Sequence, residues 1–307
     1  MKFDIVDCPR VTLVVTTYNR PDYLAITLKT VLEQRRAPYE VVVADDGSNE
    51  STADVVRKFA ETASFPILHA WQADSGYRLN ASRNNALAVA SGDYVVMLDG
   101  DCFLNPFFIC DHLFFARLNR YVGGTRVNVR SPLKERILTT RDTRVGFFTP
   151  GTSKKFNAVR CRALARIASS SFEGRRRGGG VAGQPFWRNG LAGANLAFWR
   201  DDAFKVNGFN EVMKYYGGND LEFASRLERA GVGYFHMVHY GMAYHFAHGK
   251  PYSGSSEDRL TPESKEYRES LTSDGIRCKD EAGLTRALEK ARGFERPDRG
   301  YCKIDLS

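Results

Sequence analysis

Between residues 10 and 101 the chain alternates short β-branched or apolar runs with segments of helical spacing, and this alternation limits the fold more than any other feature. Val11 to Tyr18 suits a buried strand, and Pro21-Asp22 then opens a segment with Leu24, Leu28, Val31 and Leu32 at helical spacing. Glu40 to Ala44 reads as a second strand ending at Asp45-Asp46-Gly47-Ser48, followed by a helix whose apolar face includes Val55, Val56 and Phe59. Pro66 to Trp71 gives a third strand and Asn80 to Ala90 a third helix. Tyr94 to Leu98 gives a fourth strand, which runs into Asp99-Gly100-Asp101. Repeated strand-helix steps of this length predict right-handed crossovers and an α/β, Rossmann-like, doubly wound, mostly parallel sheet.

In such a sheet ligands bind beyond the carboxyl ends of the strands. Thr16-Thr17-Tyr18-Asn19, Asp45-Asp46 and Asp99-Gly100-Asp101 all fall at those ends, so three polar clusters are expected on one rim. Past about residue 105 the alternation weakens. Residues 120–129 hold short strand-like pieces, a mobile loop is expected around 170–185, and order returns at Gly190 to Trp199, Asp220 to Ala230 and Leu284 to Arg292. The reading divides the chain into an α/β ligand-binding half (1–105), a second half of the same domain (106–260), and a C-terminal helical extension or tail (261–307).

Each cluster has a bland reading beside its chemical one. Asp99-Gly100-Asp101 can be a polar turn, yet two carboxylates one residue apart also suit Mg²⁺ or Mn²⁺, whose other positions are filled by phosphate and water. Asp45-Asp46-Gly47-Ser48 is good turn and N-cap chemistry. It also offers a carboxylate to the base or ribose of a nucleotide. In Gly217-Gly218-Asn219-Asp220-Leu221-Glu222, acids at a helix start favour the helix dipole. Alternatively Asp220 is a general base, with the preceding glycines admitting an acceptor. His236, His239, His245 and His248 cluster in a chain with only six histidines, and His245, ending the run Tyr244-His245-Phe246, can complete a metal site begun by carboxylates.

A chain of 307 residues with 43% hydrophobic residues can bury a large core. Six scattered cysteines without a CxxC pair point to free thiols in a reducing compartment. The N-terminus has no signal-like apolar core, and no apolar run approaches the roughly 18 residues of a membrane span. A cytoplasmic protein is therefore expected. The net charge of +8 favours an anionic partner: a nucleotide, a lipid phosphate, a membrane surface or a nucleic acid. The basic run Arg175-Arg176-Arg177 suits a solvated loop as well as a binding element.

Five segments together resemble family 2 glycosyltransferases of the GT-A fold: VVTTYNRPDYL at 14–24, VVVADDGSNEST at 41–52, SGYRLNASRNNALAVASGDYVVMLDGD at 75–101, GANLAFWRDDAFKVNGFNE at 193–211 and YGGNDLEFASRLERAG at 216–231. The last is similar to the WGGEDxEF pattern of bacterial chondroitin-polymerase-type and β1,4-galactosyltransferase-like domains, and GMAYHFAHGK at 241–250 to their AMAYHQ-type segment. Tyr216 and Asn219 stand where that pattern has Trp and Glu. The resemblance implies an inverting, metal-dependent transfer from a nucleotide sugar, UDP-linked, to a hydroxyl of a glycan or lipid-linked glycan in bacterial surface polysaccharide or lipopolysaccharide synthesis; the positive charge and the missing membrane span suggest peripheral contact at the inner membrane face. The resemblance implies Thr16 and Asp46 at the uracil, with Tyr18 in the same donor site, and Arg83 near the uridine or diphosphate. Asp99 then lies at the ribose or a metal-bound water, Asp101 and His245 hold Mn²⁺ or Mg²⁺, and Asp220 is the base. A sugar-phosphate nucleotidyltransferase is the rival enzyme, although its glycine-rich phosphate loop is missing after the first strand. The rival binding module is a basic nucleic-acid-binding protein, which an acidic rim would repel.

Overall fold

The structure is a computed structural model, and it describes residues 8–145, 152, 195–215, 217–237, 240–247 and 264–307. In chain order the strands are β1 (Val11–Thr17), β2 (Glu40–Asp45), β3 (Ile67–Trp71), β4 (Tyr94–Asp99), β5 (Cys102–Leu104), β6 (Arg120–Gly123), β7 (Arg126–Val129), β8 (Asn195–Trp199), β9 (Gly233–His236), β10 (Ala243–Phe246) and β11 (Tyr301–Asp305). The helices are α1 (Pro21–Leu32), α2 (Glu50–Thr62), α3 (Leu79–Val89), α4 (Phe108–Phe115), α5 (Leu133–Thr140), α6 (Arg200–Lys205), α7 (Asn219–Arg229), α8 (Lys265–Glu269) and α9 (Leu284–Lys290).

The main sheet has the order β11-β3-β2-β1-β4-β8-β6-β9. Every residue of β1 and β2 is buried, as expected for central parallel strands covered on both faces. Alternate side chains feed two cores: Leu13, Val15, Val41 and Val43 pack toward α1 and α2, whereas Val14, Val42, Val95 and Met97 pack with Leu87, Phe223 and Leu227. Each fully buried Val or Leu contributes about 1.5–3 kcal/mol. β8 runs antiparallel to both β4 and β6, so the sheet is mixed and mostly parallel, as expected. A second sheet, β5-β10-β7, sits beside the end of β4 and brings β10 next to the Asp99-Gly100-Asp101 turn.

The final residues are not a tail. β11 extends the main sheet parallel to β3, Leu306 is buried, and its N–H donates to Trp71 O at 2.8 Å. Leu284 and Ala287 of α9 join the second core, and Arg296 forms an ion pair with the buried Glu40. Residues 301–305 read poorly as a strand because only Tyr, Cys and Ile supply apolar character, and the missing partner is an edge of β3 more than 200 residues away. The loop expected at 170–185, the run Arg175 to Arg177, Tyr216, His239 and His248 lie outside the described residues. The five described cysteines are free thiols.

Candidate functional site

The rim forms where β1, β2 and β4 end together. Thr16 and Asp99 are register partners, and the Thr16 hydroxyl donates to Asp99 Oδ1 at 3.1 Å. The next turn is held tightly: Gly100 N–H donates to Thr16 O at 2.7 Å, and Thr27 Oγ1 donates to Gly100 O at 2.9 Å. A Cβ at position 100 would stand 2.7 Å from Thr16 O, so any side chain there would move the turn. Glycine is required by close backbone approach.

At the end of β2 the two acids separate. Asp45 is fully buried, accepts from Ser48 N–H at 2.8 Å and lies 2.7 Å from His69 Nε2, while His69 Nδ1 lies 3.2 Å from the Tyr301 hydroxyl. Asp45 therefore has the turn-holding role. Asp46 is also buried, accepting from Gln72 Nε2 at 2.5 Å and from Arg78 N–H at 2.8 Å. Burial pushes its carboxyl up to about 6, against those hydrogen bonds, which favour the charged form. Half-exposed Tyr18, after β1, donates to Asp74 Oδ2 in the loop after β3 at 2.8 Å.

Asp99, Asp101, Arg83 and Asp220 form the charged centre. Burial and the neighbouring Asp101 push the Asp99 carboxyl up, while Arg83 pulls it back. Asp101 Oδ2 lies 3.3 Å from His245 Nε2, and both side chains are largely buried. β10 makes this meeting possible by pairing His245 with Cys102 on one side and with Asn128 on the other. Among the described residues no three His, Cys, Asp or Glu side chains converge as a metal cage. The Asp101–His245 pair nevertheless fits a hard divalent cation. A carboxylate oxygen and an imidazole nitrogen are the donor types such an ion takes, and phosphate and water would complete its shell.

Asp220 sits in the first turn of α7, after Gly217 and Gly218 at φ +98° and +87°. Left-handed backbone at both favours glycine. Its Oδ1 accepts from Arg83 Nη1 at 2.8 Å, and its side chain stays 30% exposed while that of Arg83 is 3% exposed. Arg83 is thus seated on Asp220, an arrangement not anticipated from its motif. Burial disfavours the Arg83 charge, but Asp220, Asp99 and Tyr77 more than offset this and hold the guanidinium firmly protonated.

Asn219 is buried and lies 3.2 Å from Asn80, so it faces inward from the helix start. Glu222 is committed elsewhere. It accepts from Arg226 Nε at 2.7 Å and Nη2 at 2.8 Å, and fully buried Arg226 also donates to the carbonyls of Val206 and Gly208. Of the two acids in this helix start, only Asp220 is open to a ligand.

Sequence reasoning passed over the residues that hold these groups in place. Asn80 donates to Asn210 O at 2.7 Å, and Asn84 accepts from Phe209 N–H and donates to Phe209 O and Glu211 Oε1, each at 2.8 Å. Asn85 donates to Gln72 at 2.9 Å, and Arg286 of α9 bridges Glu211 and Asn85. The available signal was three asparagines inside a short helix. Asparagine is a poor helix former there unless its amide has distant backbone to bind.

The sequence model of glycosyl transferase family 2 matches residues 12–177, and one described as the N-terminal domain of galactosyltransferase matches residues 181–249. The chain is 30% identical over 246 residues to a chondroitin synthase of Escherichia coli, covering 76% of this chain and 34% of that protein. It is 29% identical over 247 residues to a hyaluronan synthase of Pasteurella multocida, covering 76% and 24%. A validoxylamine A glucosyltransferase of Streptomyces hygroscopicus subsp. limoneus is also 29% identical, over 73% of this chain and 49% of that one. The chain therefore spans from about a quarter to about half of the length of these relatives. The S. aureus TarS 1-349 structure superposes with a TM-score of 0.51 at 17% identity over 77% of this chain and 60% of that one, a likeness of fold. The nucleic-acid-binding and nucleotidyltransferase readings fall away, since a family match over more than half of the chain coincides with the α/β sheet and its acidic rim: this protein belongs to glycosyl transferase family 2, with a GT-A fold, and is a glycosyltransferase.

Proposed function

We propose that the protein moves a sugar from a nucleotide diphosphate sugar, a UDP-sugar by preference, to a hydroxyl of a glycan or glycolipid acceptor, with inversion. The observation that carries this reading is the half-open Asp220 carboxylate. It is fixed by Arg83, stands close to the Asp99-Asp101 turn, and lies behind two glycines that leave room for an acceptor. The acceptor oxygen attacks the anomeric carbon from the face opposite the diphosphate, the bond from that carbon to the diphosphate oxygen breaks, and Asp220 takes the hydroxyl proton. Inversion follows from one displacement with no covalent sugar-enzyme intermediate. Asp101 and His245 would hold a divalent cation, whose charge offsets that developing on the departing diphosphate. Thr16 and Asp46 would meet the uracil, whose imide N–H suits the Asp46 carboxylate, Tyr18 would lie in the same donor site, and Asp99 would lie at the ribose or a metal-bound water.

A screen of nucleotide sugars with Mn²⁺, scored by released nucleotide, tests the donor reading without a known acceptor, because water slowly replaces the acceptor. Release from a UDP-sugar above all others is expected, and equal inertness toward every nucleotide sugar would overturn it.

Asp46 adds a pH dependence. If its charged form receives the base, donor affinity should hold above pH 7 and weaken as Asp46 protonates below about 6. About tenfold weaker UDP binding is expected at pH 5 than at pH 7.5, and Asp46→Asn should bind weakly with little pH dependence. The stability sign is opposite. Burial raises this acid above its unfolded value, so Asp46 lowers stability as pH rises from about 4 through about 6. A UDP affinity that is flat with pH in the unmodified protein would remove Asp46 from base recognition.

Acceptor location is a separate matter. No helix among the described residues is long and apolar enough to cross a membrane. The net charge of +8 supports a cytoplasmic enzyme that visits an anionic inner membrane face, where a lipid-linked acceptor for surface polysaccharide synthesis would be presented. Flotation with anionic liposomes should occur at low salt and fade as salt rises; no flotation at low salt would favour a freely diffusing acceptor.

A further inference from the structure

Arg83 lies in the motif that suggests a donor ligand, yet its surroundings are those of a support. Its side chain is 3% exposed, its Nη1 is 2.8 Å from Asp220 Oδ1, and its guanidinium carbon stands 4.9 Å from the centre of the Phe209 ring. The neighbouring Asn80 and Asn84 on α3 grip the backbone of Phe209 and Asn210, so α3 clamps the segment that leads to α7.

We infer that Arg83 is the positioning residue of Asp220, holding one carboxylate oxygen so that the other meets the acceptor hydroxyl. This rests on the proposal that Asp220 is the base. An aspartate in the first turn of an exposed helix start has several open rotamers, and a misplacement of about 1 Å costs on the order of 10² in rate. One charge-assisted hydrogen bond from an immobile donor selects a single rotamer. Arg83 is immobile because burial, Phe209 and the α3 clamp leave it nowhere else to go. The bond occupies Oδ1 alone, and Oδ2 has no hydrogen-bond partner among the described residues.

The test is Arg83→Met, read as transfer rate at saturating donor, UDP affinity and thermal melting on one preparation. The expected result is a loss of kcat of about 10²-fold, UDP affinity within twofold of the parent, and partial recovery of rate on adding guanidinium ions. A tenfold or greater loss of UDP affinity with kcat within twofold would overturn the inference and make Arg83 a donor ligand. A lower melting temperature with near-normal kcat would overturn it in favour of a merely structural pair. If Arg83→Met does not fold, Arg83→Lys keeps the charge with a different reach. A several-fold loss of kcat at unchanged UDP affinity supports the inference in that variant, and an unchanged kcat overturns it. Failure of the underlying reading is separately visible. In Asp220→Asn, adding Arg83→Met should cost no further rate if Arg83 acts through Asp220. Near-normal transfer in Asp220→Asn alone would sink the base assignment itself.

Discussion

Asp220→Asn is expected to fold, to bind UDP as the parent does, and to lose transfer by roughly 10²-fold or more. The amide is nearly isosteric and keeps an oxygen to accept from Arg83 Nη1, so the Arg83 contact and the turn at Gly217-Gly218 should persist. What disappears is the ability to take a proton. If Asp220 only favoured its helix start, the same change would cost about 1 kcal/mol or less and leave turnover almost intact. Melting temperature, UDP titration and transfer rate on one sample separate the two. Near-normal transfer in folded Asp220→Asn would remove the assignment, and Glu222 could not simply replace it, because both of its oxygens already receive N–H bonds from buried Arg226.

Asp101→Ala is expected to weaken Mn²⁺-dependent UDP binding by at least about 10²-fold, since it deletes one of the two proposed protein ligands and leaves His245 alone. The backbone should stay in place. Asp101 O accepts from Phe246 N–H at 3.0 Å, and β5 pairs with β10 through backbone groups that the substitution does not touch. Calorimetry with and without EDTA gives the readout. Equal UDP affinity with and without chelator in the parent protein would take the metal out of the mechanism, whatever Asp101→Ala does.

Much of the sheet was readable from sequence because its signals are local. Val11 to Thr17 and Glu40 to Asp45 are continuous buried runs, Pro21 sits at the first helical position of α1, and strands in such sheets carry ligand residues at their carboxyl ends. The reversal of β8 was not readable, since its neighbours β4 and β6 are distant in sequence and an apolar run looks the same in either direction. β11 was missed for a related reason. An edge strand half open to solvent needs few apolar residues, and its identity depends on the free edge of β3.

Sequence alone determined that acids would gather on one rim, because strand period and strand-end chemistry place them there whatever the rest of the chain does. It could not decide which acid of each group would face the ligand. Asp45 is claimed by His69 on β3 and by Ser48 N–H, whereas Asp46 is claimed by Gln72 and Arg78 N–H of the loop after β3. Glu222 is claimed by Arg226, which leaves Asp220. Arg83 meets Asp220 across 137 residues of chain, and His245 reaches Asp101 only because β10 pairs with β5. A buried charge takes the partner that packing brings within hydrogen-bond distance, and that partner is set by how distant elements assemble, so these choices belong to the tertiary structure.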